Sequence, residues 1–435
     1  MQHTIIKPRD RDSLIQALRA GVVPRTGQHL IQVGRSREIE TLHKDILNIA
    51  MGGSTFRVVV GEYGAGKTFF LNLIRAIAMT EKEATLVVAS ADLNPERRLQ
   101  ATNGEARSLF SELMRNISTR AKPDGGAMVN IVEKFISTAR EEAKRTSESS
   151  EQVITRKLEN ISELVNGYDF AEVIRLYCRG FEEGNDQLKA DAIRWLRGEF
   201  STKTDARKAL GVRTCIDDDE VYDQLKLMAK FVRLAGYGGL LVTLDEMVNL
   251  YKLGNKVARD RNYEQILRML NDSLQGNTEG LGLLLGGTPE FLLDTRRGLY
   301  SYEALQGRLS QNTFAKDGLQ DFSGPVVRLA ALTQEDFFVL LHKINLVFSY
   351  GEPEKSLLDD DAIEAFMHHC AERIGEAYFR TPRTTITTFI NLLAILEQNP
   401  GTSWDDLIEK TEVTRDTMGE KDSVVEDEDL KSFTL

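Results

Sequence analysis

Eight consecutive residues, Gly61-Glu62-Tyr63-Gly64-Ala65-Gly66-Lys67-Thr68, match the pattern G-x-x-x-x-G-K-[ST] without a departure. Glycines at these positions let the backbone curl so that successive N–H groups point inward at an anion. A helix opening at Lys67-Thr68-Phe69 adds the positive end of its dipole. In this pattern Lys67 reaches the β- and γ-phosphates of ATP, and Thr68 gives its hydroxyl to magnesium. A second constellation lies far downstream, where the apolar stretch Gly239 to Leu244 ends on Asp245-Glu246. Two adjacent carboxylates at the end of a buried strand are expensive unless a cation awaits them. Asp245 suits a magnesium ligand, and Glu246 suits the general base that polarises an attacking water. An acidic helix N-cap is the plainer reading of the pair, but the complete loop upstream favours the chemical one.

Three further positions fit the same chemistry. Thr288 follows Gly286-Gly287 at the end of the apolar run Leu281 to Leu285. A hydroxyl there can orient the water near a γ-phosphate; a turn threonine before Pro289 is the alternative. Arg383 follows Thr381-Pro382 at the start of a helical segment, where Thr suits the cap and Pro the first helical position. A cation in a first turn opposes the helix dipole and asks for an anionic neighbour, which an ATP phosphate would be. Arg380 is the second candidate for that role. Arg296, Arg297 and Arg308 cluster in DTRRGLYSYEALQGRL, and of these Arg308 is the candidate for an arginine offered to a neighbouring subunit's γ-phosphate. The run His368-His369-Cys370 is not read as a metal site, because consecutive helical residues point about 100° apart.

Elements must position these groups, and the sequence places them. Phe56 to Val60 is a short β-branched strand running directly into the glycine-rich loop, and the apolar-periodic helix Phe69 to Met79 follows. Strand, loop and helix are the context the phosphate pattern requires. Further strands are expected at Ala84 to Ala91, Gly239 to Leu244, Leu281 to Leu285 and Pro325 to Leu329. Continuous apolar strands alternating with helices indicate an α/β fold with a parallel five-stranded sheet covered on both faces. The fourth strand should lie between the first and the third.

Lys67 and Asp245 are 178 positions apart, whereas two βαβ crossovers need only about 60. A large helical insertion is therefore expected at about 120–230. Met128, Ile131, Val132, Phe135, Ile136 and Ala139 form one apolar stripe, and Ile154, Leu158, Ile161 and Val165 a second. Thr146 to Glu151 reads as the polar turn between them. Helical segments resume at Gln334 to Phe348, Asp360 to Arg373 and Thr384 to Glu397. The expected organisation is a nucleotide-binding core over 1–330, an all-helical lid over 331–400 and a short acidic tail over 401–435. A short amphipathic stretch near Trp404 to Ile408 opens that tail.

Composition bounds the class. Of 435 residues, 41% are hydrophobic and 28% charged, which suits a globular protein with a filled core. No apolar run approaches the roughly 18 residues of a membrane span, and MQHTIIKPRDRD lacks the apolar stretch of a secretory signal. Cys178, Cys215 and Cys370 lie far apart with no C-x-x-C pair, so neither a disulfide framework nor a zinc ribbon is indicated. The cytoplasm is the expected compartment. A formal net charge of −11 argues against nucleic acid coating the whole surface. Much of that charge sits in Glu420 to Asp429, a run that reads as a solvated end.

The order Val33-Gly34-Arg35, phosphate loop, acidic pair, sensor threonine, arginine cluster and helical lid resembles an AAA+ ATPase of the origin-recognition-like branch. Four segments narrow the resemblance: ALRAGVVPRTGQHLIQVGR at 17–35, AIRWLRGE at 192–199, GYGGLLVTLDE at 236–246 and RRGLYSYEALQGRL at 296–309. They are similar to the ATP-binding proteins of bacterial BREX anti-phage systems. The resemblance implies that Val33, Gly34 and Arg35 border the adenine. It also implies a homo-oligomer acting in phage defence, with partners that include a methyltransferase, a phosphatase-like protein and helicases. Origin-recognition ATPases carry a DNA-binding winged helix after the lid, which takes roughly 70 residues, and only 35 follow Pro400. Any DNA surface would then have to come from the insertion, for example around Arg194, Arg197, Lys203, Arg207, Lys208 and Arg213, or from a ring pore. An oligomeric ATPase that remodels or loads partners is the leading reading. A nucleotide-gated scaffold with slow hydrolysis is the second.

Overall fold

The computed structural model describes residues 5–82, 85–101, 103–315, 321–380 and 382–409. The acidic run Glu420 to Asp429, Thr381 with its expected capping role, and the side chain of Arg380 lie outside the described residues. Two compact units are distinguished along the chain. One gathers Ser36–Val60 with Leu71–Arg328, and the other gathers Met1–Arg35, Gly61–Phe70 and Leu329–Leu435.

The first unit is built on a parallel sheet of β1 (Ser54–Val60), β2 (Val87–Asp92), β3 (Leu240–Asp245), β4 (Leu281–Gly287) and β5 (Val326–Arg328). Its order is β2-β3-β4-β1-β5, which puts β4 between β1 and β3 as the sequence predicts. All six residues of β3 and all seven of β4 are buried. That burial is why these strands read as unbroken apolar runs rather than alternating ones. The ladder between β2 and β3 pairs Asp92 with Asp245. Consequently β2 begins and ends later than the apolar run Ala84 to Ala91 suggests, and β3 takes in the first acidic residue.

Helices fill the long interval before β3. Met128–Thr146 buries Met128, Ile131, Val132, Phe135, Ile136 and Ala139, the whole of the predicted stripe. Ser149 then caps Ser150–Ser162 in a reciprocal box with Gln152, so the polar turn has a defined start signal. The second stripe is only partly correct. Ile154, Leu158 and Ile161 are buried, but Val165 is 70% exposed. The helix stops at Ser162, Asn166 takes a left-handed φ of 60°, and Val165 falls in the turn instead of one helical step below Ile161. A side chain at Gly167 would collide with the Ile161 carbonyl, so the turn needs glycine there. The helices Gly167–Glu183, Asp186–Leu196, Lys203–Leu210 and Val221–Leu234 complete the insertion. In its core Phe170 meets Trp195 and Phe231 edge-on, and Phe135 packs tilted against Phe231.

The second unit is helical. Gln334–Phe348, Asp360–Ile374, Arg383–Gln398 and Trp404–Glu409 pack with Pro8–Arg19 around Leu14, Phe337, Leu341, Phe366, Phe389 and Leu393. Arg11 ties the N-terminal helix down. Its Nε donates to the Phe348 carbonyl at 3.0 Å, and its guanidinium pairs with Glu397. Among the described residues no helix is long and apolar enough to cross a membrane.

Candidate nucleotide site

The loop from Gly61 takes the curled form that its glycines allow. Gly64 and Gly66 have φ of 77° and 75°, a conformation that side-chain-bearing residues enter only under strain. The Ala65 N–H closes a turn on the Glu62 carbonyl at 3.1 Å, and the Phe70 N–H reaches Gly66 at 2.9 Å. The Lys67–Thr80 helix has no acidic residue in its first turn, so nothing there offsets the positive end of its dipole. Lys67 Nζ donates to the carbonyls of Gly61 and Glu62 at 2.9 Å each, which holds the ammonium over the loop. Tyr63 and Thr68 are exposed, and Phe69 packs into the helical core of its own unit.

Arg35, expected beside the adenine, also touches the glycine-rich loop. Gly34 and Arg35 both take left-handed conformations, with φ of 59° and 58°. The Arg35 guanidinium donates to the Ala65 carbonyl within the phosphate loop and to the Ala330 carbonyl at 3.4 Å. Gly34 lies so close to Asp336 that a side chain would sit 3.1 Å from its Oδ1, while Val33 borders the helical core. Spacing cannot reveal such a bond, because positions 35 and 65 meet only through the fold.

In the sheet unit, Asp245 is 8% exposed at the last position of β3, and Glu246 directly after it is exposed. The Glu246 N–H donates to Asp245 Oδ1 at 2.8 Å. Glu246 has a φ of 56°, a strained value for a residue with a side chain and one that clusters at functional sites. Room for Asp245 comes from β4, since a side chain at Gly286 would sit 2.6 Å from Asp245 Oδ1 and 2.8 Å from Leu71. Gly286→Ala is therefore expected to cost about 1–3 kcal/mol by overpacking. Gly307 has open space around it, so Gly307→Ala in its helix should be neutral or slightly stabilising. Denaturant titration of both variants checks this; a Gly286→Ala protein as stable as the parent would mean the site has slack.

Thr288 begins where β4 ends and caps Pro289–Leu293, its hydroxyl accepting from the Phe291 N–H at 3.4 Å. Arg297 is half-buried, with Nη2 at 3.3 Å from the Leu253 carbonyl and its guanidinium 5.6 Å from the Tyr251 ring centre. Arg296 and Arg308 are exposed, and Arg308 Nη1 donates to Ala304 at 2.8 Å on its own helix, Glu303–Leu309. Arg383 is the first residue of Arg383–Gln398, where Pro382 stands at the cap position, and its Nε donates to the Gly21 carbonyl. In the insertion, Lys203, Arg207, Lys208 and Arg213 are exposed, and Arg194 pairs with Asp191 at 2.9 Å.

The donor set suits the expected ligands. In the helical unit the loop carries backbone N–H groups and an ammonium of the kind phosphate takes, with the Thr68 hydroxyl beside them; in the sheet unit Asp245 carries a hard carboxylate oxygen of the kind magnesium takes. A parallel sheet ordered β2-β3-β4-β1-β5, with a glycine-rich loop after β1 and an acidic pair at the end of β3, defines a P-loop nucleotide-binding fold. More specifically, the chain belongs to the BREX system ATP-binding protein BrxC/D family, whose model matches residues 6–412, in line with its resemblance to BrxD. It is thus an ATP-binding protein of BREX phage defence. No curated protein matched the sequence.

Proposed function

We propose that the chain is a magnesium-dependent ATPase of the AAA+ class. In this reading it works as an oligomeric remodelling or loading factor in BREX defence, in the cytoplasm and on or near DNA. The observation that carries hydrolysis is the acidic pair: a buried Asp245 at the end of β3 followed by an exposed, strained Glu246. A merely structural cap has no need of the second carboxylate.

The residues divide the work. Gly61, Tyr63, Gly64, Ala65, Gly66 and Lys67 hold the phosphates, and Val33, Gly34 and Arg35 border the adenine. Thr68 and Asp245 would hold magnesium, which when bound neutralises phosphate charge. Glu246 accepts the proton of the attacking water, and Thr288 orients that water. Arg308 completes a neighbour's site, and Arg383 couples the phosphates to the lid helices. The exposed basic residues of the insertion are the surface offered to DNA.

The test is ATP turnover and particle size measured together, with and without duplex DNA. Turnover that rises with assembly supports the reading. In the same assay Arg383→Ala should lower turnover more than it lowers ADP affinity, because the lost contact is to the phosphate that ADP lacks. Turnover at background in every condition would leave a nucleotide-gated scaffold, a role the acidic net charge of −11 also suits.

A further inference from the structure

In the sheet unit, the Glu105–Arg115 helix lays one face along a cavity of about 250 Å³. Arg107, Ser108, Ser111, Glu112 and Arg115 line it, recurring at steps of three and four, so this face of the helix is polar throughout. Arg97 enters from the preceding segment, and Gly198 and Glu199 close the far side. The space exceeds the roughly 10–15 Å³ that a single water needs.

Three guanidinium groups around one cavity repel each other unless anions intervene. Two carboxylates do so in part. Arg97 Nη2 lies 3.4 Å from Glu112, and Arg115 Nε lies 3.1 Å from Glu199. Arg107 has no carboxylate in ion-pair reach among the described residues; its Nη1 donates to the Ser201 carbonyl at 3.3 Å. A guanidinium carries five N–H donors, so these contacts leave each arginine with donors to spare. The Ser108 and Ser111 hydroxyls make no hydrogen bond among the described residues. The helix N-terminus is already satisfied, because Asp218 accepts from the Gly104 and Arg107 N–H groups at 2.7 and 2.8 Å. An apolar guest would have to desolvate three cations. A tetrahedral oxyanion would instead meet forked donors and hydroxyls at close quarters.

We propose that this cavity is a phosphate-binding site, separate from the nucleotide site. Arg107 is its principal ligand, Arg97 and Arg115 flank the phosphate while their glutamates hold them in place, and Ser108 and Ser111 donate from the helix face. The phosphate belongs either to a free phosphorylated molecule or to a nucleic-acid backbone, and the two sources are separable by experiment.

The test uses the full chain carrying Lys67→Ala, which takes the phosphate loop out of play, so the outcome does not depend on the ATPase reading. Pyrophosphate binding is followed by calorimetry, and binding of a fluorescent DNA duplex by anisotropy. At least one probe is expected to bind. Arg107→Glu and Ser111→Asp should each weaken it by about tenfold or more, as loss of a charge-assisted bond implies. Ser111→Asp guards against a folding defect, since its hydroxyl is partly exposed and holds nothing in place. Binding of pyrophosphate identifies a free phosphate source. Binding of the duplex alone identifies the backbone, with the salt slope reduced by about one in the Arg107 variant. The proposal is overturned if neither probe binds, or if both variants bind like their parent.

Discussion

Lys67→Ala should lose ATP, and Glu246→Gln should keep it and fail to turn it over. Lys67 is the only side-chain cation within the loop Gly61 to Thr68. Charge-assisted hydrogen bonds are worth about 1.5–3 kcal/mol each. Losing an ammonium that makes more than one of them weakens ATP binding by roughly 10²–10³-fold. Glu246→Gln leaves charge at Asp245 and every loop contact in place but substitutes an amide that cannot take a proton. A general base contributes about 10²–10⁴-fold, so turnover should drop by that factor while nucleotide affinity holds. Fluorescent nucleotide binding and phosphate release separate the two effects. A Gln variant that hydrolyses ATP at the parental rate would remove Glu246 from the reaction and advance the scaffold reading.

Arg308→Ala subunits are expected to bind ATP normally, hydrolyse it about 10³-fold more slowly, and regain activity when mixed with Glu246→Gln subunits. At a mixed interface one subunit brings an intact Glu246 and the other an intact Arg308, a combination that neither homomer contains. Three arginines compete for this role in the sequence. Their placement separates them, because Arg297 is turned inward onto Leu253 and Tyr251, whereas Arg296 and Arg308 are exposed. Rescue must also depend on protein concentration, since a shared site exists only after assembly. Full ATPase activity in a monomer at high dilution, or a mixture no better than its parts, would exclude the shared site. Arg296→Ala run in parallel distinguishes a specific finger from general loss of surface charge.

The sequence by itself was enough to determine the sheet class and to place the glycine-rich loop after β1 and the acidic pair at the end of β3. Each is written locally. β3 and β4 are buried on both faces, so apart from Thr243 and the terminal Asp245 their residues are apolar or small, and that appears as a nearly unbroken run. The loop needs glycine where φ is positive, at Gly64 and Gly66, and glycine is visible as a letter. The helix Gln334–Phe348 was legible to the residue, because Thr333 and Asp336 form a capping box at its start. Val165 was misread because periodicity counts positions and does not see where a helix ends. Other features are decided by pairs of residues that approach only in three dimensions. Arg35 reaches the phosphate loop 30 positions away, Gly286 leaves space for Asp245 on the next strand, and Arg97, Arg107 and Glu199 converge on one cavity. A hydrogen bond or a clash acts over a few ångströms in space, whatever the separation along the chain, so contacts of this kind leave no spacing for a sequence to display.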